Sequence, residues 1–237
     1  PDVVLLTNAL LSGAAPAITQ ELNIPVHITL QGDDSFLDHL TEVHRKESLN
    51  LIQHNDKYVT SYIATSHAYA DYMSMYLGLP RNKFHVIYPG IQFTESDTGM
   101  YRPIASDPVI GYFARISPEK GFHLLVDTFI DLKKSPDNRR LKLHASGWLG
   151  PQHQAFFEQQ TDKLRFAGVA SDFCYVPSPD RKSKFEFLRS IDVFSVPVTF
   201  HEPKGLYILE AWANHRPVVQ PKSGSFPELI ELTGGGT

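Results

Sequence analysis

The sequence predicts an α/β protein of doubly wound parallel sheets, and three features carry that expectation. Short runs rich in Val, Ile, Phe and Tyr recur: VVLLT (3–7), VHITL (26–30), YIATS (62–66), FHVIYPG (84–90), PVIGYFA (108–114), LKLHASG (141–147), FCYVP (173–177), VFSVPV (193–198) and PVVQP (217–221). Most read as fully buried strands. Between many of them lie stretches with helical spacing, the clearest being GFHLLVDTFIDLKK, where Phe122, Leu125, Val126, Phe129 and Ile130 share one face. Finally, strand and helix alternate. That pattern implies right-handed crossovers, helices on both sheet faces, and ligands in crevices beyond the carboxyl ends of the strands.

The segment YPGIQFTESDTGMYRPIASDP (88–108) is long, polar and broken by Pro and Gly, and reads as an interdomain linker. It divides the chain into a first domain with the linker, residues 1–100, and a second domain, residues 101–237. Because the sequence starts inside PDVVLLT and stops after GGGT, it reads as the interior of a longer protein, with both domains incomplete.

Composition narrows the function classes. The chain has 237 residues, 42% hydrophobic and 20% charged, the profile of a globular protein with one or two domains. A formal charge of -4 argues against nucleic-acid binding, which rests on clustered Lys and Arg. The single cysteine, Cys174, excludes a disulfide framework and a thiolate metal site, and reads as an inert core residue. A reducing, cytoplasmic setting is the expectation. No apolar run reaches transmembrane length, and no charged start with an apolar middle marks a signal peptide.

Three strand-to-helix loops carry candidate chemistry. In IGYFARISPEKGFHLLV a strand ends near Ala114, Arg115 and Lys120 follow, and a helix is expected to begin near Pro118. Two cations beside a helix N-terminus suit a diphosphate, although a solvated surface pair is the bland alternative. In SGWLGP, Gly147 and Gly150 permit close approach of the backbone to a ligand, or simply turn the chain. In VFSVPVTFHEPKGLYILEAWA, Pro203 fits a first helical turn, which would put Glu202 at a helix start and Glu210 two turns along, roughly 12 Å away. That is about the reach from the ribose to the hexose of a nucleotide-sugar, with the Gly205 and Leu206 amides between them for the diphosphate. A solvated helix face is the competing reading.

GYFARISPEKG, EPKGLYILEA and PVVQPKSGSFPELIE, in that order, resemble the Arg-Lys loop, the E-x7-E element and the Gly-rich loop of the retaining GT-B glycosyltransferases of family four, glycosyl transferases group one. YIATSHAYADYMSMYLGLPRNKFHVIYPGI is similar to the end of that family's N-terminal domain. The resemblance implies two Rossmann-like domains facing a cleft, the first on the acceptor side and the second binding the nucleotide-sugar. It implies transfer of a hexose from a UDP- or GDP-linked sugar to a saccharide, lipid-linked or small-molecule acceptor, with the anomeric configuration retained; the lack of an Asp-x-Asp pair adds the expectation of no metal, and no other cofactor is expected. By the same resemblance, Arg115 and Lys120 bind and stabilise the diphosphate, Glu202 contacts the transferred sugar, Glu210 the ribose hydroxyls, and Gly205 and Leu206 the phosphates. Gly147 and Lys204 belong to the donor pocket, where Lys204 replaces a commoner aromatic or small residue. On the acceptor side, Gln31 stands where the family often carries a histidine, and Asp33 and Asp34 either touch substrate or cap the next helix.

The remaining signals are milder. The histidines show no metal-site spacing and no Asp-x-Asp pair occurs. His201 reads as a hydrogen-bonding neighbour of Glu202. Arg139-Arg140 and Arg181-Lys182 with Lys184 read as solvated surface, or as a way for a peripheral enzyme to meet an anionic membrane at its inner face. Two other functions fit the same residues: a sugar-nucleotide epimerase, and a non-catalytic protein that binds nucleotide-sugars.

Overall fold

A computed structural model describes residues 1–92, 107–177 and 180–237. The chain forms two compact units, Pro1–Pro89 with Glu202–Lys204, and Gly90–His201 with Gly205–Thr237. Most of the expected linker, residues 93–106, lies outside the described residues. Among the described residues, no helix is long and apolar enough to cross a membrane.

The first unit contains β1 (Val4–Leu6), α1 (Ala15–Leu22), β2 (Val26–Thr29), α2 (Asp33–Asp38), α3 (Glu42–Asn55), β3 (Ser61–Ala64), α4 (His67–Leu77) and β4 (Phe84–Val86). Its strands form one sheet in the order β1-β2-β3-β4, every neighbouring pair parallel. Parallel neighbours need a crossover between them, and α4 shows how the sequence sets one. Ser66 caps its start, the hydroxyl accepting from Tyr69 N–H at 3.1 Å. Gly78, at φ 65°, ends it in the left-handed conformation. The helix buries Tyr69, Met73 and Leu77 against a core in which Tyr62 stacks on Phe84. Strand β1 lies at the sheet edge with Leu5 exposed, so the expected full burial fails there.

The second unit contains β5 (Val109–Phe113), α5 (Phe122–Lys133), β6 (Lys142–Ser146), α6 (Gln154–Phe166), β7 (Phe173–Val176), α7 (Arg181–Ser190), β8 (Val193–Phe194), α8 (Leu206–Ala213) and α9 (Phe226–Thr233). Its strands are also parallel, in the order β7-β6-β5-β8. Single-residue parallel bridges continue the series, Val218 beside Phe194 and Gly236 beside Val218. Taken in chain order, these positions run 3-2-1-4-5-6, the doubly wound arrangement whose direction reverses between β5 and β8. The amphipathic face read from the sequence packs this core: Phe122, Leu125, Val126 and Phe129 are buried and Ile130 packs against them.

Three local expectations are corrected. Helix α5 begins at Phe122 and not near Pro118, because Pro118–Gly121 is a turn in which Gly121 N–H donates to Pro118 O at 2.9 Å. Gly121 has φ 71°, and a Cβ there would stand 1.7 Å from Pro197 O. Likewise α8 begins at Leu206, since Gly205 is left-handed at φ 60° and cannot continue a right-handed helix backwards. Pro203 and Glu202 therefore precede the helix, and a separation built on eight helical steps does not apply. Cys174 is exposed rather than core. It lies on the edge strand β7, whose alternation turns Phe173 and Tyr175 toward the core and Cys174 and Val176 outward.

Candidate functional site

The reversal point of the second sheet is where the sequence-predicted cations lie. Arg115 and Lys120 occupy the loop that leaves β5, and buried Tyr112 on that strand fixes it. The Tyr112 hydroxyl donates to Arg115 O at 2.9 Å and approaches Lys120 O at 3.4 Å. Burial pushes the pKa of this phenol up, so it stays protonated and remains a donor. Further backbone bonds link the loop to its neighbours: Ile116 N–H donates to Trp148 O at 2.9 Å and Thr199 N–H to Glu119 O at 3.0 Å. The strand ends thus hold the cations on a rigid frame.

Around this frame is a cavity of about 470 Å³ lined by Phe113, Ala114, Arg115, Lys120, Gly147, Trp148, Leu206, Tyr207 and Glu210. It draws residues from the ends of β5 and β6 and the first two turns of α8. The Lys120 ammonium lies 4.7 Å from the centre of the Phe200 ring and 5.3 Å from that of Tyr207, cation–π contacts that orient it. Arg115, about half exposed, pairs with Glu119 at 2.9 Å. Burial alone would raise the Glu119 carboxyl, but hydrogen bonds within its own turn and the nearby guanidinium outweigh it and hold the group below the usual range. An exposed pair of this kind contributes only about 0.2–1 kcal/mol, so a multiply charged anion can displace Glu119 from Arg115.

Gly147 is held at φ 115°, where a Cβ would meet Ala114 O at 2.1 Å. Its missing side chain therefore lets β5 and β6 end close together, beside the cavity that it also lines. Gly205 is the residue before α8, and its carbonyl accepts from Ile208 N–H at 2.9 Å in the first turn of that helix. A larger hollow, about 660 Å³, is lined by Trp212, Arg216–Val219 and Thr233–Thr237. It lies where the chain enters the Val218 and Gly236 bridges, the opposite end of the sheet from the carboxyl ends where α/β ligands bind.

Other predicted residues fall elsewhere. Glu202 and Lys204 group with the first unit, where the Lys204 ammonium donates to Gln31 Oε1 at 2.5 Å. Glu202 is 7% exposed, its Oε1 accepting from Lys204 N–H at 3.4 Å. Asp33 is buried and accepts from Ala9 N–H at 2.6 Å and Gln31 N–H at 2.9 Å, which ties the end of β2 to the turn after β1. Desolvation raises its carboxyl above the ordinary range despite those bonds. Asp34 accepts from the Tyr69 hydroxyl at 2.8 Å. Neither aspartate makes a side-chain cap on α2, whose N-cap is Gly32. His201 shares a 3.2 Å hydrogen bond with Ser223 Oγ.

Lys184 is a further residue that sequence reasoning placed wrongly. Read as solvated surface, it is instead an ion-pair partner of Glu210, Nζ to Oε1 at 2.5 Å, with the two side chains 22% and 20% exposed. Lys184 and Glu210 are 26 residues apart, and no local spacing rule links them. Among the described residues, no three His, Cys, Asp or Glu side chains cluster closely enough to hold a metal ion.

The second unit is thus a doubly wound α/β unit with two cations and a carboxylate around a cavity at its reversal point, the place where open α/β sheets offer a crevice. Residues 107–236, more than half of the chain, match the family described as Glycosyl transferases group 1, and the chain belongs to that family. The fold is that of the two-sheet GT-B proteins. HepE of Anabaena in complex with UDP is 20% identical, with a TM-score of 0.79 over 99% of this chain and 64% of its own. The same protein with UDP and glucose gives 21%, 0.73, 97% and 61%. Sucrose-phosphate synthase from Thermosynechococcus elongatus gives 17%, 0.74, 99% and 59%. The chain thus spans about three fifths of the length of these structures. Comparison with curated proteins by sequence finds no match.

Proposed function

We propose that this chain is the donor-binding part of a glycosyltransferase that moves a hexose from a UDP- or GDP-linked sugar to an acceptor hydroxyl, with retention of configuration and without a metal. The observation that carries the reading is the meeting of Arg115 and Lys120, from the loop after β5, with Glu210, from helix α8, around one cavity at the sheet reversal. UDP in HepE supports a uridine nucleotide as the first ligand to try.

In this reading the acceptor oxygen bonds to the anomeric carbon as the bond from that carbon to the phosphate oxygen breaks. The departing diphosphate gains negative charge, which Arg115, Lys120 and the first amides of α8 stabilise. The proton of the acceptor passes to a leaving phosphate oxygen on the same face of the sugar, so no protein nucleophile is needed. Glu210 takes the ribose hydroxyls and Glu202 the hexose, with Lys204 in the donor pocket and Gln31 and Asp33 on the acceptor side. The acceptor is a saccharide, a lipid-linked sugar or a small molecule, and the basic surface residues Arg139 and Arg140 suit work beside an anionic membrane.

Calorimetric titration with UDP, GDP, UMP, GMP and inorganic phosphate tests the reading. A nucleoside diphosphate should bind at least about tenfold more tightly than its monophosphate, since the second phosphate adds charge-assisted bonds. The chain alone should transfer little sugar, because closure around both substrates supplies the orientation that catalysis needs. Absence of nucleotide binding, or equal affinity for mono- and diphosphates, would overturn it.

A further inference from the structure

We infer that Lys184 is a positioning residue that holds the Glu210 carboxylate for a ribose, so that the site selects ribonucleoside over deoxyribonucleoside diphosphates. The inference rests on the donor-site reading above and adds to it a residue on a different helix.

Lys184 is placed by its helix and by two rings beside its ammonium. Helix α7 is capped by Asp180, whose Oδ1 accepts from Ser183 N–H at 2.8 Å, and it buries Phe185, Phe187 and Leu188. The ammonium lies 6.0 Å from the centre of the Phe113 ring and 5.9 Å from that of Phe185. Phe113 and Glu210 line the cavity, whereas Lys184 does not. The lysine therefore stands behind the carboxylate and acts on the cavity through it.

The pair is too covered to be an ordinary surface contact. With four fifths of each side chain shielded, the charges have lost much of their water, and removing one leaves the other poorly compensated. A carboxylate accepts at about four lone-pair positions, so a lysine on Oε1 leaves capacity for a pair of neighbouring hydroxyls. Vicinal ribose hydroxyls fit that capacity, and a 2′-deoxyribose fills only half of it. Fixing the carboxylate in one rotamer before binding removes an ordering cost that the ligand would otherwise bear.

The experiment is titration of wild type, Lys184→Met, Lys184→Arg, Glu210→Ala and the Lys184→Met/Glu210→Ala double variant with UDP, GDP, their 2′-deoxy forms and inorganic pyrophosphate. Wild type should prefer the ribo form. Lys184→Met should lose about tenfold on the ribo form, lose the preference, and keep its pyrophosphate affinity, a coupling within the range for directly contacting residues. Lys184→Arg, which keeps the charge, should stay within about threefold of wild type, and the double variant should bind no worse than Glu210→Ala. Equal losses on pyrophosphate would mean that Lys184 acts on phosphate itself. Unchanged ribo affinity, an arginine variant as weak as the methionine one, multiplying losses in the double variant, or no ribose preference in wild type would each overturn the proposal. A wild type that binds no nucleotide at all would remove the donor-site reading and this inference with it.

Discussion

At the scale of the residue, the two cations of the β5 loop are not equivalent. Lys120 is oriented by Phe200 and Tyr207, while Arg115 is half exposed and paired within its own turn to Glu119. Both supply charge to a diphosphate, so Arg115→Ala or Lys120→Ala should weaken UDP or GDP binding by about 1.5–3 kcal/mol and leave the fold intact. Calorimetry with thermal unfolding alongside checks this, and unchanged affinity in both variants would remove the diphosphate site. The types of these residues were legible in the sequence because charged groups at strand-to-helix loops stand out against apolar strands. Their partners were not. Tyr112 looks like any aromatic in a buried strand, and only the fold turns its hydroxyl onto the Arg115 and Lys120 carbonyls.

At the scale of the element, one device recurs. The turns PEKGF and EPKGL each end a loop at a left-handed glycine and start a helix on the next residue. Pro118 and Pro203 invite a helix start at the proline, since a first-turn proline loses no hydrogen bond. The glycines move the start downstream, and for Gly121 the cause is tertiary: Pro197 O fills the space where a Cβ would go. Gly121→Ala should therefore cost about 1–2 kcal/mol from the left-handed conformation alone, with the Pro197 clash adding to it. Chemical denaturation should show the lower stability and titration a weaker nucleotide affinity, because the turn carries Lys120. Wild-type stability in that variant would contradict the role given to the turn. Eight of the nine apolar runs hold a strand, PVVQP giving only the single-residue bridge at Val218, and the interior ones were legible because strands covered on both faces need continuous apolar sequence. Edge strands such as β7 do not, which is why Cys174 was misplaced.

At the scale of the whole molecule, two parallel sheets and a family match across residues 107–236 give the chain its class, and the second unit carries a cavity of about 470 Å³ at its reversal point. The pair Glu202 and Glu210, eight positions apart in sequence, is divided by the fold between the two units. A sequence can show both carboxylates but not that a left-handed glycine keeps Glu202 out of the helix that carries Glu210, and the different roles proposed for them are tested one residue at a time. The most direct measurement is therefore a paired titration of Glu210→Ala and Glu202→Ala with UDP or GDP and with the matching nucleotide-sugar, joined to turnover of that nucleotide-sugar. Glu210→Ala should weaken both ligands, because the ribose is common to them. Glu202→Ala should leave the free diphosphate within about twofold of wild type and chiefly lower kcat, as expected for a contact that strengthens in the transition state. Equal loss of diphosphate affinity in both variants, or no change in either, would contradict the account.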